Sequence, residues 1–288
     1  MTEATGESPD TIRADDWAGE QGDKWLANLD RFESMIAPVG DALFARAGFA
    51  PGERAIDVGC GGGATTLAIA RAVAPGGAAL GLDISPALIA ASARRAAAEG
   101  VAGAAFVCAD AATATPEGAP FDRLFSRFGS MFFPEPEAAF ANLRAMLRPG
   151  GRVDLAVWAP VRENGWMMEM MAVVAAQVTL PPPRPRAPGP FAFGETGYLR
   201  EVLAAAGFGT PDIVAWEGLQ PIGGAGATPA EAVAFVTGAT TLAAAIADVA
   251  PETRARIAEG LAALFSRHHV AGRGVLLPGK AWLVTTAA

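Results

Sequence analysis

The chain has 288 residues, of which 51% are hydrophobic and 18% are charged, so one large domain or two small ones can form a core. Its net charge of −8 argues against binding to a nucleic acid backbone. Two cysteines, Cys60 and Cys108, make no disulfide framework and are typical of a reducing cytosol. The histidines are His268 and His269, and no metal-ligand cluster is apparent, so we expect no metal. The acidic, polar start of the chain has no signal-peptide pattern, and we expect a cytoplasmic protein.

The first 50 residues predict a polar tail followed by a helix. Apolar residues from Trp25 to Ile36 recur at helical spacing within DKWLANLDRFESMIAPVGDALFARAGF. We expect Pro38 to interrupt this helix and Gly48 to cap its last turn.

From Arg54 to Trp158, predicted strands and helices alternate. The strands are RAIDVG, AALGLDI, AAFVCAD, FDRLFSRFG and RVDLAVWA. In the second helix, SPALIAASARRAAAEG, Ser85 is the expected N-cap, Pro86 the first helical residue and Gly100 the C-cap. This alternation predicts a doubly wound α/β sheet.

The other two helices of this region are TTLAIARAVA and EAAFANLRAMLRPGG. The second of them has Phe140, Leu143 and Leu147 at helical spacing, so we expect all three on one face of that helix.

After Trp158 the pattern becomes mainly helical. We expect four helices, in NGWMMEMMAVVAAQVTL, in GETGYLREVLAAAGF, over residues 229–247 and over residues 251–268. We expect two strands, in DIVAWEGLQPI and KAWLVTTA. The capping box TPAE opens the third of these helices. Its uncharged part is shorter than the ~20 residues of a membrane span, so we expect a buried helix. The proline-rich stretch 181–190 is predicted as a stiff loop rather than a polyproline ligand.

A glycine cluster, AIDVGCGGGATT, follows the first strand of the alternation. A P-loop is excluded because no lysine follows these glycines before Lys280. The dinucleotide fingerprint fits, with Gly59, Gly61 and Ala64 at the required spacing and Asp83 near the expected distance.

Three features favour a different ligand. Asp57 precedes the glycines, where an acid repels a pyrophosphate and attracts an ammonium group. Asp110 follows the third strand, where its carboxylate can accept a hydrogen bond from an exocyclic amine. The fourth strand ends in the aromatic segment SRFGSMFF. Because ligands of open α/β sheets bind at the carboxyl ends of the strands, these features predict a ligand with an amino acid end, a ribose and an adenine.

The segments AIDVGCGGGATT, GLDIS, CADAA, SRFGSMFF and LRPGGRV together resemble the class I S-adenosylmethionine-dependent methyltransferases. Within that family the resemblance is greatest to the small-molecule branch that includes the ubiquinone/menaquinone C-methyltransferases. It covers residues 17–160 and extends to the last strand pair. It implies a Rossmann-like, doubly wound, seven-stranded sheet with an antiparallel last strand, plus helical cap segments.

The resemblance also implies a division of the chain. Residues 1–50 would form an N-terminal helical lid and residues 51–160 the Rossmann-like core that binds S-adenosylmethionine. Residues 161–288 would supply helical cap and substrate segments together with the last two strands of the sheet.

The resemblance carries cofactor roles to individual positions. Asp83 would bind the ribose hydroxyls, Asp110 the adenine amine, and Asp57 with the glycine turn would face the methionine end. Asp57 could instead brace the turn. The full set of implied cofactor-binding residues is Asp57, Gly59, Cys60, Gly61, Gly63, Asp83, Ile84, Asp110, Ala111, Ser126, Phe128, Trp17 and Trp25.

The predicted activity is transfer of a methyl group from S-adenosyl-L-methionine to oxygen, carbon or nitrogen of a small molecule, by a monomer or homodimer. The candidate substrate-binding residues are Arg127, Met131, Phe132, Trp158 and Trp166. The candidates for catalysis are His268, His269 and Arg127. Two alternatives remain, an NAD-dependent oxidoreductase and a non-catalytic S-adenosylmethionine-binding protein. The segment after the fourth strand lacks Asn-Pro-Pro-Tyr, which argues against methylation of nucleic acid bases.

Overall fold

A computed structural model describes residues 14–180, 182 and 184–288. The helices are α1 (Ala14–Ala18), α2 (Glu20–Ala27), α3 (Leu29–Ala47), α4 (Ala64–Ala72), α5 (Pro86–Glu99), α6 (Pro136–Ala145), α7 (Gly165–Ala175), α8 (Thr196–Ala205), α9 (Pro229–Ala239), α10 (Thr241–Ala245) and α11 (Pro251–Arg267). The strands are β1 (Arg54–Val58), β2 (Ala78–Asp83), β3 (Ala104–Cys108), β4 (Phe121–Arg127), β5 (Leu147–Trp158), β6 (Asp212–Ile222), β7 (His269–Val270) and β8 (Gly274–Ala287). Short 3₁₀ turns follow β4 and β5, at Gly129–Phe132 and Val161–Glu163.

The strands form one sheet in the order β3-β2-β1-β4-β5-β8-β6, with the two-residue β7 paired to β8. Strands β1 to β5 are parallel, whereas β8 runs antiparallel to both β5 and β6. Helices α4 and α5 pack against β1, β2 and β3, and α3 packs against β5, β6 and β8. The predicted doubly wound, seven-stranded sheet with an antiparallel last strand is therefore confirmed.

The local signals around α5 are confirmed residue by residue. The Ser85 hydroxyl accepts a hydrogen bond from the Leu88 N–H at 3.3 Å, and Pro86 is the first helical residue. Gly100 ends the helix with a left-handed φ of 61°, which glycine adopts without a steric penalty. These caps depend only on chain neighbours, which explains why the sequence was sufficient to predict them.

The expected interruption at Pro38 is wrong. Helix α3 continues through Pro38, and the break in the N-terminal helices lies at Asn28, whose side-chain amide donates to the Lys24 carbonyl at 3.0 Å. A proline inside a helix costs about 3 kcal/mol. Helix α3 buries Phe32 and Leu43 on its inner face, and this packing offsets that cost. The predicted C-cap at the end of the helix, Gly48, is confirmed with a φ of 56°.

The expected position of Leu147 on a helix is also wrong. Helix α6 ends at Ala145, and Leu147 begins β5, where it pairs with Phe121 of β4. The Phe121 N–H donates to the Met146 carbonyl at 2.8 Å. Pairing with β4 therefore begins where the helical spacing predicted a further turn of helix. Leu147 is still buried, but in the sheet layer.

The predicted single helix over residues 229–247 consists of two helices. The Thr240 hydroxyl donates to the Val236 carbonyl at 2.8 Å and accepts from the Leu242 N–H at 3.3 Å, so one side chain ends α9 and caps α10. The capping box at the start of α9, between Thr228 and Glu231, is confirmed. Among the helices that the structure describes, none is long and apolar enough to cross a membrane.

The later part of the chain completes the sheet and covers one end of it. Strands β6 and β8 pair from Asp212 with Thr285 to Ile222 with Val275. Helix α11 packs against α7 and α9. The described part of the proline-rich stretch is irregular, and its Gly189 N–H donates to the Met131 carbonyl at 3.0 Å. This loop is therefore tied to the turn that follows β4.

Candidate functional site

A cavity of about 230 Å³ lies where the parallel strands end; we call it the strand-end cavity. Residues that follow or end β1, β2, β3 and β4 share its wall, and α1, α2 and α3 cover it. The predicted site residues that line it are Trp17, Trp25, Gly59, Gly61, Asp83, Ile84, Asp110, Ala111, Arg127, Phe128, Met131, Phe132, Trp158 and Trp166. This is the edge of an open α/β sheet at which ligands bind.

The glycine turn after β1 brings bare backbone to the cavity. Gly59 and Gly61 have φ values of 69° and 55°, a conformation that favours glycine. A Cβ on Gly59 would lie 2.6 Å from the Gly129 Cα, so no side chain fits between these two turns. The Gly61 N–H donates to the Asp83 carboxylate at 2.8 Å. The turn is thereby joined to the end of β2.

Asp83 presents a buried carboxylate to the cavity. Its Oδ2 accepts from the Gly61 N–H at 2.8 Å and its Oδ1 accepts from the Ser85 N–H at 2.9 Å. Burial raises the pKa of Asp83, and these backbone hydrogen bonds oppose that rise. Each carboxylate oxygen retains further acceptor capacity, so the pair can accept hydrogen bonds from two neighbouring hydroxyl groups.

Asp110 lies at the end of the neighbouring strand, in a loop that is held from two sides. Its Oδ1 accepts from the Ala112 N–H at 2.8 Å. The Asn142 amide of α6 donates to the carbonyls of Ala111 and Ala114 at 3.0 and 2.9 Å. Asn142 therefore fixes the loop that positions Asp110, a role that the sequence did not indicate.

Aromatic side chains form the wall beyond β4. Phe128 has a φ of 65°, which is uncommon for a bulky residue and typical of functional sites. Its N–H donates to the Ala156 carbonyl at 3.0 Å, and its ring stacks on Trp158 with centroids 4.3 Å apart. Trp166 lies 5.3 Å from Trp158, and its indole N–H donates to Asn164. The unusual backbone at Phe128 thus sets the ring against a continuous aromatic surface.

The N-terminal helices close the cavity through a chain of ring contacts. Trp17 of α1 contacts Trp25 at 5.7 Å and Phe132 at 5.0 Å. Trp25 stacks on Phe32 at 4.1 Å, and Phe32 contacts Phe235 of α9 at 4.8 Å. The cover is therefore joined both to the turn after β4 and to the helices of the later part of the chain.

The central part of the chain, residues 55–151, matches the family model described as "Methyltransferase domain". This part of the chain is thus similar to a methyltransferase domain. The match covers the glycine turn and both strand-end acids. The finer resemblance to ubiquinone/menaquinone C-methyltransferases stays a prediction.

Two curated relatives are named as methyltransferases, and one solved structure shares the fold. Nocamycin O-methyltransferase of Saccharothrix syringae is 30% identical over 185 residues, which are 60% of this chain and 65% of the relative. Trans-aconitate 2-methyltransferase of Methylobacterium nodulans is 39% identical over 120 residues, 41% of this chain and 43% of the relative. The chain therefore spans less than two thirds of either relative's length. The YcgJ protein of Bacillus subtilis shares the fold, with a TM-score of 0.55 at 16% identity, covering 85% of this chain and 96% of that one.

Asp57 lies behind the glycine turn rather than in the cavity wall. Its Oδ2 accepts from the hydroxyls of Thr65 and Thr66 at 2.6 and 2.7 Å. Burial raises the pKa of Asp57, while these hydroxyls and the charge of Arg127 oppose the rise. Asp57 therefore braces the first turn of α4, and a role toward the methionine end of the cofactor stays a prediction.

Three other predicted cofactor residues lie outside the wall. Ser126 donates to the Val58 carbonyl at 2.8 Å and joins β4 to β1. Gly63 is the N-cap of α4, with a φ of 80°. Cys60 is buried beside them, and burial raises the pKa of its thiol. These three residues therefore belong to the structure around the glycine turn rather than to the cavity wall.

The two histidines lie away from the cavity. His268 Nε2 is 3.0 Å from Glu169 Oε2, and His269 is exposed in β7. Of the three candidates for catalysis, the structure brings Arg127 alone to the wall.

Sequence reasoning missed several residues that line the cavity. Met35 and Ile36 belong to the same apolar stripe of α3 as Phe32, so helical spacing could have indicated them. The remainder come from the lid, from strand ends and turns, from the cap and from the proline-rich loop. They include Gln21, Lys24, Leu82, Leu88, Ala109, Gly129, Phe133, Met167, Pro190, Ala239, Thr240 and Thr241.

Proposed function

We propose that this protein transfers a methyl group from S-adenosyl-L-methionine to a small-molecule acceptor and releases S-adenosylhomocysteine. The observation that carries the proposal is the convergence of the glycine turn and two strand-end acids on one cavity within the methyltransferase domain. The alternatives of a dinucleotide-dependent oxidoreductase and of a non-catalytic binding protein have no comparable support.

The proposed cofactor orientation follows from the strand order. Because β3, β2, β1 and β4 are neighbours, the residues after them form a row across the edge of the sheet. Asp110 accepts from the adenine amine, with Ile84 and Ala111 beside the ring, and Asp83 accepts from the ribose hydroxyls. The methionine end then lies over the glycine turn, near β4. The buried carboxylate of Asp83, the half-buried carboxylate of Asp110 and the bare backbone of the glycine turn fit the cofactor in this order.

When bound, S-adenosylmethionine supplies an activated methyl group on a positively charged sulfur. The chain has to align the acceptor with that group and exclude water. The stacked rings of Phe128 and Trp158, with Trp166 beside them, give an apolar surface at the end of β4 and β5. Such a surface suits a reaction in which the positive charge is lost as the methyl group moves.

The acceptor is proposed to bind between the lid and the aromatic wall. Met131, Phe132, Trp158, Trp166 and Arg127 all line the strand-end cavity and form the proposed substrate surface. The relative named as an O-methyltransferase aligns over 60% of this chain, which makes oxygen the first acceptor atom to test.

The proposal also covers the finer features of the protein. We place it in the cytoplasm, as a monomer or homodimer without a nucleic acid partner. Light scattering after size-exclusion chromatography measures the oligomeric state, and cell fractionation tests the location.

Calorimetry and mass spectrometry together test the activity. The purified chain is titrated with S-adenosylmethionine, S-adenosylhomocysteine and NAD, and we expect the first two to bind. The same protein is then incubated with S-adenosylmethionine and a library of phenols, carboxylic acids, activated carbon acids and amines. We expect release of S-adenosylhomocysteine together with a product 14 Da heavier. Binding of NAD alone contradicts the proposal, and cofactor binding without transfer across the library favours the non-catalytic alternative.

A further inference from the structure

Arg127 is held in a defined position at the end of β4. It lines the strand-end cavity and packs against α3 at Gly40. A Cβ on Gly40 would lie 2.7 Å from Arg127 Cδ and 2.9 Å from Nη1, so the absence of a side chain there makes room for the arginine. Helix α3 therefore restricts the positions that the Arg127 side chain can adopt.

The guanidinium of Arg127 makes no ion pair or hydrogen bond with any residue that the structure describes. The other cation of the cavity wall, Lys24, has its Nζ 2.6 Å from Glu20 Oε1. The two cations of the wall differ in this respect, because one is already neutralised by an acid on its own helix.

The acids near Arg127 are engaged elsewhere. Asp57 accepts hydrogen bonds from two threonine hydroxyls. Both carboxylate oxygens of Glu33 accept from Arg95 Nη1, each at 2.9 Å. Burial lowers the pKa of Arg127, and the charges of Asp57, Glu33 and Asp41 oppose that change. These charges help to keep the guanidinium protonated, yet none of the three acids reaches it.

Burying part of a guanidinium without a partner costs free energy. Its planar array of N–H donors matches a carboxylate, which it can bind through bidentate hydrogen bonds. The charges of the cavity are also separated. Asp110 and Asp83 follow β3 and β2, while Arg127 ends β4, about 14 Å from β3 at the usual strand spacing. An anionic group is therefore repelled from one end of the cavity and attracted to the other.

We propose that Arg127 binds a carboxylate that is presented by a ligand in the strand-end cavity. Two ligands can supply it, the amino acid end of the cofactor or an acidic acceptor whose apolar body lies on Phe128 and Trp158. The acceptor source rests on the proposed function, whereas carboxylate binding by Arg127 can be measured without any methyl transfer.

The test compares the wild-type protein with Arg127→Gln, Arg127→Lys and the matched control Lys24→Gln, all shown by thermal unfolding to be folded. For the cofactor source, calorimetry measures S-adenosylhomocysteine against 5′-methylthioadenosine, which lacks the amino acid carboxylate. If the cofactor supplies the carboxylate, Arg127→Gln weakens the first by at least tenfold and leaves the second within twofold.

For the acceptor source, the probes are 2-naphthoate and 2-naphthamide, titrated with and without saturating S-adenosylhomocysteine. If an acceptor supplies the carboxylate, the wild type binds the acid at least tenfold more tightly than the amide. Arg127→Gln abolishes that preference, Arg127→Lys retains part of it and Lys24→Gln retains all of it. Gly40→Ala, which displaces the guanidinium while keeping its charge, gives the same loss as Arg127→Gln.

The outcomes separate this inference from the proposed function. The inference is overturned if Arg127→Gln leaves S-adenosylhomocysteine affinity within twofold and the wild type either shows no preference for the acid over the amide or shows one that Arg127→Gln retains. Failure of S-adenosylhomocysteine to bind the wild type contradicts the proposed function instead, and the acid preference without cofactor then decides the inference alone.

Discussion

Two arginines on one strand show how two sides of the sheet differ: the amino edge, where the parallel strands begin, and the carboxyl edge, where they end. Arg123 and Arg127 are four residues apart on β4, so their side chains lie on the same face. Arg123 is buried at the amino edge, where it bonds Glu53 at 3.1 Å, Asp154 at 2.9 Å and the Ala47 carbonyl. Arg127 lies at the carboxyl edge and has no such partner among the described residues.

The amino edge uses its charges to hold elements together. Asp154 of β5 accepts from Arg123, from Arg152 at 2.8 Å and from the Thr285 hydroxyl of β8 at 2.9 Å. The bonds from Arg123 also reach the end of α3 and the residue before β1. The carboxyl edge instead directs acids and an arginine into a cavity. We infer that polar groups support the fold at one edge and ligand binding at the other.

The largest expected effect is at the amino edge. Arg123→Met removes one side of a buried ion pair and leaves Asp154 with Arg152 as its remaining cation, so we expect a loss of about 3 kcal/mol in the free energy of unfolding. Urea denaturation measures it. The matched variant Arg127→Met removes a charge that has no partner in the described part of the chain, and we expect a change of less than about 1 kcal/mol. Equal losses in the two variants contradict the distinction between the edges.

The next effect is on cofactor affinity at the carboxyl edge. Asp83→Ala removes the carboxylate that holds the Gly61 N–H and faces the cavity, so we expect S-adenosylhomocysteine binding to weaken by about 1–3 kcal/mol, or about 5–150-fold. Calorimetry measures it. Asp122→Ala is the control, because Asp122 also accepts from a backbone N–H, that of Arg54 at 2.8 Å, but lies at the amino edge. Unchanged affinity in Asp83→Ala refutes its role toward the ribose.

A smaller effect concerns pH. Burial raises the pKa of Asp83 above its ordinary value of 3.8, and hydroxyl groups that donate to the carboxylate would lower it again on binding. Affinity should therefore be complete above the raised pKa and fall as the pH drops through it. We expect a loss of about 1.5 kcal/mol, because one charged acceptor is lost. Calorimetry across the acidic range should show this dependence in the wild type and its absence in Asp83→Asn. A matching fall in both proteins assigns the dependence to another group.

The smallest effect expected is in the aromatic wall. A double-mutant cycle with Phe128→Leu and Trp158→Leu should give a coupling of about 1 kcal/mol in the free energy of unfolding, because their rings stack at 4.3 Å. Chemical denaturation of the four proteins measures it. The matched cycle uses Phe44 and Phe125, which do not line the cavity. Their rings meet edge-on, with centroids 6.4 Å apart. If the coupling between Phe128 and Trp158 is no larger than the coupling in the matched cycle, the stacking of the two rings adds nothing beyond an ordinary ring contact.

The sequence by itself determined the order of strands and helices, the caps of α5 and α9, and the acids and glycines at the strand ends. Those features arise from residue periodicity and from contacts between near neighbours in the chain. The family resemblance added the seven-stranded sheet with its antiparallel last strand, whereas the order of the strands in the sheet came from the structure.

Only the tertiary structure decided where these side chains face and what they contact. Asp57 follows the pattern of a ligand-facing acid, yet two threonines of α4 hold it behind the turn. Helix α3 keeps Pro38 inside it because its packing against the sheet outweighs the local cost. Among the described residues Arg123 has partners and Arg127 has none, because the register of β4 with β5 and the path of α3 set which groups lie near each arginine. Contacts of that kind join residues far apart in the chain, and no local pattern specifies them.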